Sequence, residues 1–168
     1  MNHIRASVVM VVFFLQGALL FAQQTGPGVL NADELKHAVP AAYFFRGQSA
    51  PVQLRNSGGF HIAGDKLFLA ALVDTSGYAA DVAARYQGLL ITEEKITVEG
   101  SELPAGAYGF GFLPDGKFVV MDVGAHDVMT VSFHMDKELH RAVPLKVVAD
   151  QGSYRFYAGK KWVGIKVK

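Results

Sequence analysis

The sequence predicts a mainly β protein: an antiparallel β-barrel or β-sandwich with one or two short helices. Three observations carry this. From residue 89 onward, short apolar runs follow one another closely, separated by Gly, Pro, Asp and Ser. Several runs alternate with the period of two that a half-buried strand needs. Ile96 and Val98 alternate with Thr97 and Glu99, and Val163, Ile165 and Val167 with Gly164, Lys166 and Lys168. Helix signals occur only in two short segments, both before residue 89. About eight to ten strands are expected.

The first 22 residues differ from the rest. A short polar start carrying Arg5 is followed by an apolar run from Ala6 to Ala22, and then by Gln23-Gln24-Thr25. That order reads as a secretory signal cleaved after Ala22. Leu20 stands where a small residue is usual. The rival reading is a retained membrane anchor, which would be the chain's only membrane contact. Gln16 and Gly17 interrupt the run, and it falls short of the roughly 20 residues that span a bilayer. The expected organisation is a signal peptide over 1–22, a flexible Gly/Pro-rich lead-in over 23–30, and one β-rich domain over 31–168. The expected location is the periplasm or the outside of a bacterial cell.

Composition narrows the functions. The chain of 168 residues has 16 Lys and Arg, 15 Asp and Glu, and no cysteine. Losing Arg5 with the signal balances the charge. No basic stripe stands out, so nucleic acid is not an expected partner. Without cysteine there are no disulfides, thiol nucleophiles or thiolate metal sites. An exported chain of this kind must hold itself by its core.

Taken in order, Asn31 with Glu34 has the spacing of a capping box, and Pro40 ends the short helix it starts. Residues 41–45 lean to strand or irregular packing. A strand is expected over 51–55, a turn at Asn56-Ser-Gly-Gly59, and a second short strand over 60–62. Residues 66–74 form a continuous apolar run, which suits a central strand covered on both sides. Residues 75–87 break the rhythm. Ser76 can cap a short helix there and Gly88 can stop it, with the helix plugging or covering one end of the sheet. Further strands are expected over 89–92, 95–99, 107–113, 117–123, 128–134, 145–149, 154–158 and 162–167. The last, with lysines outward, suits an edge.

The most informative stretch is Tyr108-Gly-Phe-Gly-Phe112, between Pro104-Ala-Gly106 and Pro114-Asp-Gly116. On a strand Tyr108, Phe110 and Phe112 share one face, and Gly109 and Gly111 the other. The aromatic row is core or the lining of a ligand cavity. Glycine on a strand marks a bend, a bulge or close approach by another group.

The segment over 95–112 resembles a hairpin of a family of small secreted bacterial β-sandwich domains of unknown function. Gly100, Leu103, Pro104, Ala105, Gly106 and Tyr108 carry the likeness. It implies a sandwich and an exported location, and no catalytic residues.

Chemical motifs are sparse. His126, His134 and His140 lie near Asp127, Asp136 and Glu138. Their spacing matches neither a strand pair nor a helix pair, and a site needs ligands converging at about 2 Å. No metal and no cofactor are expected. No Gly-x-Ser-x-Gly elbow and no phosphate-binding loop occurs. Asp74 ends the most apolar run and Asp122 interrupts another. Such acids face solvent, pair with a base, or work in a cavity. His61 and Arg155 are their candidate partners. The candidate ligand-binding set is therefore Tyr108, Phe110, Phe112, Asp74, Asp122, His61 and Arg155. The leading expectation is a domain that binds a small apolar or aromatic ligand, or a protein partner, through the Tyr/Phe row. One alternative is a cofactor-free hydrolase or isomerase using Asp74, Asp122 and His61. Another is a structural cell-envelope protein acting through the edge at 162–167.

Overall fold

The structure, a computed structural model, describes residues 28–167. The predicted signal peptide and most of the lead-in lie outside the described residues. The last three lead-in residues, 28–30, make backbone contacts with residues 59–61. Val29 bridges to Phe60, and the Leu30 N–H donates to Gly59 O at 2.9 Å.

Helix α1 (Ala32–Ala38) begins with the predicted capping box. The Asn31 side chain accepts from the N–H groups of Asp33 and Glu34, and Glu34 reaches back to the Asn31 N–H. Four strands and a helix follow: β1 (Ala42–Phe45), β2 (Gln48–Ala63), β3 (Lys66–Val73), α2 (Ala80–Arg85) and β4 (Gly88–Thr92). Then come β5 (Ile96–Val98), β6 (Ser101–Leu103), β7 (Gly106–Phe112), β8 (Lys117–Met121) and β9 (Asp127–Ser132). The chain closes with β10 (His134–Met135), β11 (Val143–Asp150), β12 (Ser153–Gly159) and β13 (Lys161–Val167). With 59% strand and 9% helix, the class is the predicted one. The strands exceed the expected number because 95–103 folds back as a hairpin and because β1 and β10 are short additions.

All named strand pairs are antiparallel. One sheet runs β1-β2-β3-β4-β7-β8-β9, and the other β11-β12-β13-β5-β6 with β10 beside β13. The β5–β6 hairpin is an excursion. It leaves the first sheet after β4, and Pro104-Ala105 brings the chain back so that β7 pairs with β4. The Tyr108 hydroxyl donates to Pro104 O at 3.1 Å across that crossing. The sheets pack face to face and curl together: β2 lies beside β11, and β9 beside β6.

The main core fills the space between the sheets. Phe60, Phe68, Phe110, Phe112 and Phe118 meet Phe156, Val163 and Ile165 there. The row Tyr108, Phe110, Phe112 faces inward as predicted, each ring almost wholly buried. Burying a ring of this size contributes about 1.5–3 kcal/mol. A second core lies on the other face of the first sheet. Ala71, Val73, Leu89, Val119 and Met121 are covered by Tyr43 and Phe45 of β1 and by Tyr86 just after α2. Both faces of β3 are thus buried, which accounts for its unbroken apolar run.

Three expectations are corrected. Residues 56–59 are not a turn. They lie within the 16-residue β2, where the register jumps from Val52 opposite Val73 to Ser57 opposite Ala71. The turn chemistry appears instead as a bulge, with Ser57 Oγ donating to Leu54 O at 2.6 Å. The helix over 75–87 shortens to six residues, and its N-cap is Ala79 without a side-chain bond. It covers a face of the sheet, not an end: bare backbone at Gly109 and Gly111 admits Phe45, Tyr86 and Arg85. Finally, 162–167 is no edge. β13 pairs with β12 on one side and with β5 and β10 on the other. Its outward lysine marks a solvent-facing sheet surface, and alternation alone does not tell a face from an edge.

Candidate functional site

The seven candidate residues do not form one constellation. Tyr108 and Phe110 belong to the main core, and Phe112 reaches from it to a surface cleft. His61 sits near the β2–β3 hairpin, 3.6 Å from Glu34. Asp74 follows β3 and accepts the Ser76 N–H at 3.0 Å, which lowers its pKa from the ordinary value. Asp122 follows β8, where it accepts the N–H groups of His126 and Gly124 and lies 3.0 Å from His126 Nδ1. Those bonds, His126's first, hold its carboxyl below the usual range. Among the described residues, no hydrogen bond or ion pair joins any two of His61, Asp74, Asp122 and Arg155.

Arg155 belongs to a network on the outer face of the second sheet. Its Nε is 2.7 Å from Asp150 Oδ2, and its guanidinium lies 4.4 Å from the Trp162 ring centre. His134 stacks on the same indole at 4.5 Å and meets Glu99 Oε2 at 3.1 Å. Glu99 also accepts the Gly164 N–H. The Tyr157 hydroxyl donates to Asp136 Oδ2 at 2.9 Å, the main cause of a lowered Asp136 pKa. Charges and rings here satisfy one another, so the network braces β5, β10, β12 and β13. No three His, Asp or Glu among the described residues are placed to hold a metal ion.

The cleft to which Phe112 extends lies at one end of the sandwich and holds about 440 Å³. Leu72 and Val73 end β3 there, Phe112 ends β7, and Ala158 and Gly159 end β12. Gln53, Thr75, Gln87, Pro144 and Lys161 complete the lining. Leu72, Phe112 and Ala158 are members or neighbours of the main core, so the cleft exposes the margin of the inter-sheet packing. Gln87 acts as a substitute strand neighbour for Phe112. Its Oε1 accepts the Phe112 N–H at 3.0 Å, and its Nε2 donates to Phe112 O at 3.2 Å. Lys161 Nζ donates to that same carbonyl at 3.2 Å and lies 5.2 Å from the Phe133 ring centre.

An apolar floor with polar groups at its rim can seat a small ligand, and the end of a β-barrel or sandwich is a recurrent place for one. Of the cleft residues, Phe112 alone is among the candidates the sequence points to. Gln53 stands at the bulge within β2, Gln87 in the connection before β4 and Lys161 at the start of β13, where no motif marks them. Only the folding together of distant segments brings them to one rim. Compared with known proteins, the chain matches no family model, no curated protein and no solved structure.

Proposed function

We propose that this chain is an exported binding domain that takes a small, partly apolar ligand in the cleft at the end of its sandwich. The observation that carries this is the apolar floor of Phe112, Leu72 and Ala158 opening to solvent between the two sheets. The aromatic row serves the site through Phe112, while Tyr108 and Phe110 support it from within the core. Export rests on the order of residues 1–22, and the likeness of 95–112 to secreted β-sandwich domains agrees with it. The acids and His61 have separate partners, so nothing favours a hydrolase or isomerase. For the envelope reading, the edge it looked to at 162–167 is not free, because β13 is an interior strand.

The test uses N-phenyl-1-naphthylamine, a neutral apolar fluorophore. Saturable, blue-shifted emission at one site per chain is expected. Thr75→Trp plugs the cleft from its rim and should abolish that signal while leaving the urea midpoint in place. Absence of saturable binding, or binding that survives the plug, would overturn the proposal.

A further inference from the structure

We infer that the ligand of the end cleft is an amphiphile with a carboxylate head, and that Lys161 selects it. This rests on the cleft being the binding site. Four observations lead there, each independent of how tightly the apolar part is held.

Lys161 is the only charged residue among the ten that line the cleft. Three other surface concavities each include a carboxylate: Glu99, Asp81 or Glu34. The cleft thus combines one positive charge with no negative one.

Among the described residues that charge has no counter-ion. None of the ion pairs among the described residues includes Lys161. An ammonium has three donors, and the one hydrogen bond it makes, to Phe112 O, leaves two N–H groups unused.

The rim's amide nitrogens hold spare donors. Gln53 Nε2 donates to Val73 O at 3.3 Å and Gln87 Nε2 to Phe112 O. An amide nitrogen carries two N–H groups, so each keeps one in reserve. The two amide oxygens each accept one bond and keep a second lone pair. Gln53 Oε1 accepts from Asn56 at 2.7 Å, Gln87 Oε1 accepts from Phe112 N–H, and Phe112 O accepts twice. A ligand arriving there meets two spare amide N–H groups beside the Lys161 ammonium, which an anionic acceptor suits.

Position completes the case. Lys161 opens β13 at the mouth, and Phe112 and Leu72 lie with it around the same space. A head at the ammonium leaves its apolar tail against the floor. Partial exclusion of water there makes the attraction stronger than in bulk solvent.

The experiment compares octanoate, octanol and octylammonium, which share a chain and differ in head, by titration calorimetry on the full chain. Octanoate should bind at one site about tenfold more tightly than octanol, the size of one charge-assisted hydrogen bond. Octylammonium should bind more weakly than octanol. Lys161→Met should collapse the octanoate-to-octanol ratio toward one, and Lys161→Arg should keep most of it. Equal binding of octanoate and octanol, or a preference that survives Lys161→Met, overturns the carboxylate inference while the cleft remains a ligand site. Failure of all three probes to bind overturns the cleft reading and this inference with it.

Discussion

The carbonyl of Arg85, the last residue of α2, lies against Gly111 in the space a β-carbon would need there. Phe45 and Tyr86, stacked at 3.9 Å, occupy the corresponding space over Gly109. Gly109 and Gly111 of β7 are therefore the seat of α2 and of the hairpin between β1 and β2. Through them the second core touches the sheet whose other face carries the main core.

Gly111→Ala should cost about 1–3 kcal/mol, because the methyl meets backbone rather than a movable side chain. The helix must lift and the second core must open. Urea unfolding measures this. Gly77→Ala is the comparison, since its β-carbon meets nothing nearer than Gln48 Oε1 at 3.7 Å, and it should change stability by less than about 0.5 kcal/mol. A parental midpoint for Gly111→Ala would show that α2 is not held at this point.

The hydroxyls of Tyr43 and Tyr86 are buried without a hydrogen-bond partner among the described residues. Burial pushes the Tyr43 phenol up to about 12, with the Asp122 charge adding to it, and moves Tyr86 further in the same direction. Tyr86→Phe keeps the stack on Phe45 and removes an unsatisfied oxygen. It should raise stability by about 1–3 kcal/mol. Tyr86→Ala should lose about 3–5 kcal/mol. A clear loss on Tyr86→Phe would mean that the hydroxyl is in fact satisfied.

Acid should destabilise the fold through Asp122 and Asp136, whose carboxyls accept N–H and O–H donors. Each has a folded pKa below its unfolded value of about 3.9. Their contribution is therefore complete above about pH 3.9 and is lost as pH falls through the lower folded values. The urea midpoint should decline below about pH 4, and Asp136→Asn should flatten that decline. An unchanged acid limb in the variant would remove Asp136 from the account.

Gln87→Ala should cost about 1–3 kcal/mol, since the Phe112 N–H loses its acceptor at the edge of the core. Gln87→Glu keeps the acceptor and loses the donor, so it should fall between Gln87→Ala and the parent. Amide exchange at Phe112, followed by NMR, should quicken in the order parent, Gln87→Glu, Gln87→Ala. The same exchange rate in all three would show that Phe112 does not depend on Gln87.

Much of the architecture was legible because local rules were enough for it. The capping box at Asn31 and Glu34 needs only adjacent residues. The inward turn of Tyr108, Phe110 and Phe112 follows from the strand period. The continuous run at 66–74 signalled a strand covered on both faces, although not what covers it. The errors share one cause. Asn56-Ser-Gly-Gly59 carries turn chemistry, and a bulge uses the same chemistry. Residues 162–167 carry a solvent-facing pattern, and an interior strand of a one-sided sheet shows the same pattern. Ser76 is a plausible cap, yet the helix starts later, where it can rest on the glycines of β7.

The sequence alone decided the β class, the side of each alternating strand that faces inward, and the place of the first helix, because each depends on residues within a few positions. The tertiary structure alone decided which strand lies beside which, the excursion of β5 and β6 into the second sheet, and the meeting of Gln53, Gln87, Phe112 and Lys161 at one cleft. Those arrangements depend on pairing between segments far apart in the chain. The partners there are chosen by the shape of the shared core, and periodicity along a single strand carries no information about it.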